Sequence, residues 1–235
     1  MEFKIEIIKA SCKGDKVGRT PNQDYLRVFE SNNLFIVTVS DGLGSSKFSL
    51  EGAAVACNTV IEVINRFNFL KDVSALNSFI TDAWKRKIEA KPGNIKDYRT
   101  ASSFVVVMKK ENKIIVGKLG DVFVSVLTDG LSREINSKEK DFLNETDCLG
   151  SGGENNYSIS TLEFNDSFNF LIATDGIGDE LLLDRIESLH AYLFTKYKEI
   201  DSSKRNSVLK KEIIQNFIKK NNDDKTLVFG WSKQI

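Results

Sequence analysis

The sequence is poor in residues that divide or cross-link a chain. Its 235 residues include only two prolines, Pro21 and Pro92, and no run of serine, glycine or like charge that would mark a linker. A chain of this length can bury one substantial core. We therefore expect residues 1–235 to form a single domain.

Cysteine and histidine are also scarce. Cys12, Cys57 and Cys148 are odd in number and widely spaced, so they indicate neither a disulfide framework nor a cysteine-rich zinc site. This favours a reducing compartment, and we expect the cytoplasm. The single histidine, His190, lies beside the apolar stripe of a predicted helix, which favours packing over catalysis.

Net charge and long apolar segments are absent as well. Thirty-three basic and thirty-three acidic residues give a formal charge of zero, so no overall field would attract nucleic acid or an anionic membrane. No apolar run has the length of a membrane-spanning helix, and the N-terminus does not resemble a signal peptide. We expect a monomer without nucleic-acid or membrane partners.

Short strand-like segments are abundant. Alternating or continuously β-branched apolar residues mark strands at 3–8, 25–30, 34–40, 103–109, 113–119, 122–128, 157–164, 168–174 and 226–232. The short connections at 31–33 and 110–112 predict antiparallel hairpins.

Helical spacing marks four other segments. They run from Leu50 to Ile64, Val73 to Ala83, Leu182 to Tyr197 and Val208 to Phe217, and Asp72 is placed to cap the second. Because strands and helices do not alternate strictly, this order predicts an α+β fold. We expect antiparallel sheets flanked by helix pairs, and not a doubly wound parallel sheet.

A glycine-flanked aspartate ends one predicted strand, in VTVSDGLGSSKFSLEGA at 37–53. Lys47 stands where a dinucleotide loop needs its third glycine, and the spacing does not fit a phosphate loop. Leu43 stands where an aspartyl-phosphate enzyme would carry a second aspartate. A metal-binding role for Asp41 remains, with a simple turn-forming aspartate as the alternative.

Carboxylates recur at four further strand ends. They belong to Asp24, Asp121, Asp175 and the neighbouring pair Asp223 and Asp224. If these ends converge, their charges repel one another unless cations are bound. Hard divalent cations prefer oxygen ligands, so the pattern predicts a divalent-metal centre.

In this order, the motifs resemble those of the metal-dependent serine/threonine protein phosphatases of type 2C, from about Ser11 to Trp231. The matching segments are Arg19 with Gln23 and Asp24, VSDGLGS with Asp41, TASSFVVVM, LGDVFVSVL with Asp121, ATDGIGDEL with Asp175, and Asp223-Asp224-Lys225-Thr226. The resemblance implies a four-layer αββα fold, in which two antiparallel sheets pack face to face between helix pairs. It also implies a variable flap at 129–156.

The resemblance implies two divalent cations, Mn²⁺ or Mg²⁺. Asp41 would bridge them, Gly42 would offer its carbonyl to one, and Asp175 with Asp223 would hold the other. Asp224 is an alternative to Asp223.

Three further site residues follow from the resemblance. Asp24 would act through metal-bound water, and Arg19 would clamp the phosphate with its planar fork of donors. Asp121 resembles a ligand for a third metal, or else only caps a turn between strands.

Several positions depart from the family pattern. Leu43 replaces a histidine proposed as a general acid in some members, and Gln23 replaces a frequent glutamate. Val122 and Phe123 replace the serine and arginine that usually follow Asp121.

The leading hypothesis is hydrolysis of phosphoserine or phosphothreonine on proteins. A cognate serine/threonine kinase would phosphorylate the same proteins. One alternative is a catalytically silent relative that binds phosphoproteins or a kinase. Another is a metal-dependent hydrolase of a small phosphorylated compound.

Overall fold

The computed structural model describes residues 3–15, 21–67, 72–134, 147–151 and 157–235. Within these residues, ten strands form two antiparallel sheets of five strands each. The strands are β1 (Phe3–Cys12), β2 (Asp24–Glu30), β3 (Leu34–Gly42), β4 (Thr100–Met108), β5 (Lys113–Leu119), β6 (Phe123–Thr128), β7 (Leu131–Glu134), β8 (Ser158–Glu163), β9 (Phe168–Ala173) and β10 (Lys225–Gln234). The helices are α1 (Ser49–Arg66), α2 (Leu76–Glu89), α3 (Asp175–Gly178, a single turn), α4 (Ile186–Lys198) and α5 (Ser202–Asn216).

The two sheets pack face to face between helices. Strand order is β1-β10-β9-β6-β7 in the first sheet and β2-β3-β4-β5-β8 in the second. Side chains of α1 and α2 share a core with the outer face of the second sheet, whereas α4 and α5 share one with the first. A third core fills the space between the sheets. The predicted α+β architecture of two antiparallel sheets flanked by helix pairs is confirmed.

The continuous apolar character of β3 follows from burial on both faces. Phe35, Val37 and Val39 point into the core between the sheets. Ile36 points toward the helices, and the Thr38 hydroxyl on the same face donates to the Cys57 thiol of α1 at 3.5 Å. Strands with two buried faces need apolar residues at nearly every position.

Both hairpins predicted from short turns are present, because β2 pairs with β3 and β4 pairs with β5. Asp72 caps a 3₁₀ turn, Val73–Ala75, that leads into α2, and its carboxylate accepts from the Ser74 amide at 2.9 Å. The third helix begins later than predicted, since Leu182 is exposed and a 3₁₀ turn precedes Ile186. Strand β7 was not predicted.

The three cysteines are unpaired and buried. Over the described ranges, no helix combines the length and the apolar character needed to cross a membrane.

Candidate metal site

The register of one hairpin brings two carboxylates together. Asp24 at the start of β2 lies directly opposite Asp41 near the end of β3. Their exposures are only 6% and 8%. The Thr100 hydroxyl donates to the Asp41 carbonyl at 2.6 Å, which fixes the end of β3 against β4. The second sheet thus presents two buried acidic groups at one end.

The other sheet contributes a third carboxylate. Asp175 follows β9 and starts the single turn α3. Its carboxyl group lies close enough to that of Asp41 for each to affect the pKa of the other. The hydroxyl of the preceding residue, Thr174, donates to Asp24 Oδ2 at 2.9 Å. The ends of both sheets therefore meet at one acidic cluster, formed by Asp24, Asp41 and Asp175.

Burial and mutual repulsion disfavour full ionisation of the acidic cluster. Burial raises the pKa of Asp24 to about 7, and the nearby carboxylates of Asp224 and Asp175 add to this rise. Burial likewise raises the pKa of Asp175 to about 6. The pKa of Asp41 rises well above its usual range, because Asp41 is buried and faces Asp24 and Asp175.

The cluster contains oxygens that lack a partner. Oδ1 of Asp24 and Oδ1 of Asp175 are buried and accept no hydrogen bond from the described residues. An unsatisfied buried acceptor is costly, and a hard cation would satisfy both oxygens. In the described part of the chain, no three acidic, histidine or cysteine side chains are already arranged to hold a metal ion. The donor chemistry thus fits a divalent cation.

Asp223 and Asp224 have different environments. Asp224 is 1% exposed, and its two oxygens accept from the backbone amides of Gly14 and Gln23, each at 2.8 Å. Asp223 instead lines a cleft of about 380 Å³ together with Asp175. Asp223 thus borders the cleft beside Asp175, whereas Asp224 joins the backbone of Gly14 and Gln23 to the start of β10.

Gly42 and Gly176 allow close backbone approach around the acidic cluster. A Cβ at Gly42 would lie 2.7 Å from the Ser49 carbonyl oxygen, where α1 begins. A Cβ at Gly176 would lie 2.0 Å from the Asp224 carbonyl oxygen. Larger residues at these positions would push apart the segments that carry the carboxylates.

Asp121 lies at the crossing from β5 in one sheet to β6 in the other, after Gly120 with φ of +88°. Its side chain is exposed, and its charge raises the pKa of Asp175 and of Asp179. Val122 and Phe123 replace the family's serine and arginine. Val122 is buried in the core between the two sheets, and Phe123 is buried in the core between the first sheet and its helices.

Asp179 is an acidic residue of this region that was not predicted. Its amide donates to the Asp175 carbonyl at 3.1 Å, and its side chain lines the same cleft as Asp223. The four-residue spacing in DGIGD was the available signal, because such residues share one face of a helical turn.

Two predictions lie wholly or partly outside the described residues. Arg19 falls within 16–20, and most of the expected flap falls within 135–146 and 152–156. Leu43, next to the metal motif, is half-buried, and its amide donates to the Arg99 carbonyl at 3.0 Å.

A family model described as Protein phosphatase 2C matches residues 16–213. The chain belongs to this family. Asp223 and Asp224 lie beyond the matched range. No curated protein sequence matches the chain.

Solved structures share the fold at low sequence identity. A bacterial serine phosphatase superposes with a TM-score of 0.71 at 15% identity, covering 99% of each chain. RsbX in complex with magnesium superposes with a TM-score of 0.62 at 20% identity, and the match covers 99% of this chain and 100% of the RsbX chain. The catalytic domain of the serine/threonine phosphatase PstP, in complex with two manganese ions, gives 0.61 at 15% identity with the same coverage. These similarities establish the fold.

Proposed function

We propose that the protein is a metal-dependent phosphatase that hydrolyses phosphoserine and phosphothreonine on other proteins. The observation that carries this proposal is the meeting of Asp24, Asp41 and Asp175, with two buried oxygens unpartnered among the described residues. Membership of the protein phosphatase 2C family supports it, as do the ions in the RsbX and PstP structures.

Two divalent cations, Mn²⁺ or Mg²⁺, are the proposed cofactors. Asp41, the Gly42 carbonyl, Asp175 and Asp223 are the proposed ligands, and Asp121 is the proposed ligand of a third ion. When bound, such ions lower the pKa of water and neutralise charge on a transferring phosphoryl group.

The chain's own residues would prepare this chemistry. The Thr174 hydroxyl donates to Oδ2 of Asp24, and Oδ1 is buried without a partner among the described residues. Burial of the carboxylates strengthens every charge interaction there relative to water. Arg19 is proposed to orient the phosphate, since its guanidinium matches phosphate oxygens and stays charged. The side chain of Leu43 cannot donate a proton, so a water molecule would have to protonate the leaving alcohol.

The substrate is proposed to be a phosphoprotein supplied by a serine/threonine kinase. The proposed setting is the cytoplasm, with one catalytic domain that acts as a monomer. The rates of hydrolysis of phosphopeptides and of small phosphate esters, measured at equal concentration, would distinguish a protein phosphatase from an enzyme that acts on small compounds.

Hydrolysis of p-nitrophenyl phosphate tests the proposal. We expect turnover with Mn²⁺, loss of turnover with excess chelator, and loss of at least ~100-fold for Asp41→Asn, because electrostatic stabilisation is a major part of catalysis. Asp82→Asn is a matched control, since Asp82 is exposed on α2. A folded wild-type protein without Mn²⁺-dependent turnover would favour a silent phosphoprotein-binding module.

A further inference from the structure

Lys225, the first residue of β10, carries a fully buried ammonium group. Its Nζ donates to the Asn221 carbonyl at 2.9 Å, to Asn221 Oδ1 at 2.8 Å and to the Asp223 carbonyl at 2.7 Å. An ammonium has three protons, so all of its donors are used. All three acceptors are neutral oxygens of the loop that carries Asp223.

Such burial is costly for the fold. Removing an ammonium from water carries a penalty that neutral acceptors offset only in part. A methionine of similar shape would fill the same space without this penalty. Packing alone therefore does not explain why a lysine occupies this position.

These bonds fix the backbone on both sides of Asp223. The Asp223 carbonyl accepts from Lys225, and the Asp223 amide donates to Asn221 Oδ1 at 3.2 Å. Asp223 Oδ1 accepts from the Asp224 amide at 2.8 Å, which orients the carboxylate. Backbone and side chain of Asp223 are thus held by the same short loop.

The same network reaches the turn that carries Asp175. Asn221 Nδ2 donates to the Gly176 carbonyl at 3.2 Å. The stem of Lys225 also lies against Gly176, because a Cβ there would be 3.2 Å from Lys225 Cγ. One lysine and one asparagine thus connect the segments of two proposed metal ligands.

We propose that Lys225 is a positioning residue that fixes Asp223 relative to Asp175 for a divalent cation. This inference rests on the proposed metal-dependent function. The direction in which cation affinity changes when Lys225 is replaced is informative. Loss of a nearby positive charge alone would strengthen cation binding. Loss of the hydrogen bonds that position Asp223 would weaken it.

Calorimetric titration of the metal-free full chain with Mn²⁺ tests the inference. We expect Lys225→Met to weaken Mn²⁺ binding by about 10-fold or more, as is typical when groups that orient metal ligands are lost. Lys220→Met removes an equal charge from an exposed side chain five residues earlier, and we expect its affinity to stay within about twofold of wild type. Unchanged or tighter binding by Lys225→Met would overturn the inference.

Asn221→Ala provides a second variant at a half-buried position. It removes the side-chain acceptor of Lys225 and the bond to Gly176, and we expect the same direction of change. If Lys225→Met does not fold, wild-type affinity in folded Asn221→Ala would overturn the inference.

Enzyme kinetics add a readout that general destabilisation would not give. With Lys225→Met or Asn221→Ala, we expect a higher Mn²⁺ concentration for half-maximal activity and near-wild-type kcat at saturating Mn²⁺. If wild-type protein binds no Mn²⁺, the proposed function itself fails. If wild-type protein binds Mn²⁺ and both variants match it, only the role of Lys225 fails.

Discussion

Asp24 and Asp41 are a directly opposed pair on antiparallel strands, and both are buried. Like charges in this relationship destabilise a sheet. Thr174 donates to the Asp24 carboxylate, and burial raises the pKa of both groups, which favours their neutral forms. The metal-free protein therefore carries electrostatic strain at the position where catalysis is proposed.

Asp41→Asn should relieve this strain. An amide keeps the shape and can donate to Asp175, so we expect the metal-free protein to gain about 1 kcal/mol, or roughly 2–4 °C in Tm. With saturating Mn²⁺ the order should reverse, because the variant loses a ligand. Thermal unfolding with chelator and with Mn²⁺ measures both effects, and Asp82→Asn should show neither. A lower Tm for metal-free Asp41→Asn would contradict the account of the acidic cluster.

Asp223→Asn and Asp224→Asn should fail in different ways. Asp224 accepts two backbone amides, and an asparagine can accept only one, so we expect a loss of about 1–3 kcal/mol in stability. Asp223→Asn keeps its Oδ1 acceptor and should retain stability while losing Mn²⁺ affinity. Urea unfolding of the metal-free proteins and Mn²⁺ titration distinguish the two. Weaker Mn²⁺ binding by a fully stable Asp224→Asn would assign the ligand to Asp224.

Gly42→Ala should be destabilising, whereas Gly44→Ala should not. The added methyl group at position 42 would meet backbone of Ser49 and Gln23 at under 3.0 Å, while position 44 has no neighbour closer than 3.7 Å. We expect a cost of about 1–3 kcal/mol for Gly42→Ala, as is typical of overpacking. Chemical denaturation of both variants checks this. Equal stability would mean that α1 can move away from β3 without cost.

His190 should make stability depend on acid pH. Burial lowers its pKa to about 4, and the ring is bonded to the Ser125 hydroxyl and to Asn169 Oδ1. The unfolded chain takes up the proton below about pH 6.5, whereas the fold resists it until about pH 4. The stability contributed by the neutral ring is therefore complete above about pH 6.5 and is lost as pH falls, by about 3 kcal/mol.

The difference between wild type and His190→Gln isolates this effect from the other acidic groups. Urea unfolding at several pH values between 7 and 4 should show wild type losing its advantage over the variant as pH falls. A pH-independent difference would show that the pKa of His190 is the same in the folded and the unfolded chain and would contradict this account.

Much of the architecture was predictable from the sequence because its strands are short, apolar and joined by tight turns. The register that places Asp24 against Asp41 was not predictable in this way, because Glu30 pairs with Phe35 and not with Leu34, as a three-residue turn at 31–33 would imply. Strand β7, at Leu131–Glu134, was missed because LSRE lacks both the apolar alternation and the length of a typical strand. The late start of α4 was missed because Leu182 and Leu183 continue the apolar pattern while lying in solvent.

The acidic character of the site was predictable from the sequence, but the different roles of its individual aspartates were not. Asp223 and Asp224 are neighbours of the same type, and only the positions of the Gly14 and Gln23 amides separate their roles. Lys225 reads as an ordinary charged residue at a strand entrance, since its burial depends on how the 221–223 loop folds over it. The Asp224 contacts join residues 210 and 201 positions apart, which local patterns do not report.

The pairing of β1 with β10 has a consequence for biosynthesis. All other described strands precede β10 in the chain, and Asp223, Asp224 and Lys225 stand at its entrance. A ribosome releases Asp24, Asp41 and Asp175 before the segment at 223–225, whose Asp224 binds the amides of Gly14 and Gln23. A nascent chain that stops before Asp223 is therefore expected to leave the acidic cluster without these contacts and to lack the proposed activity.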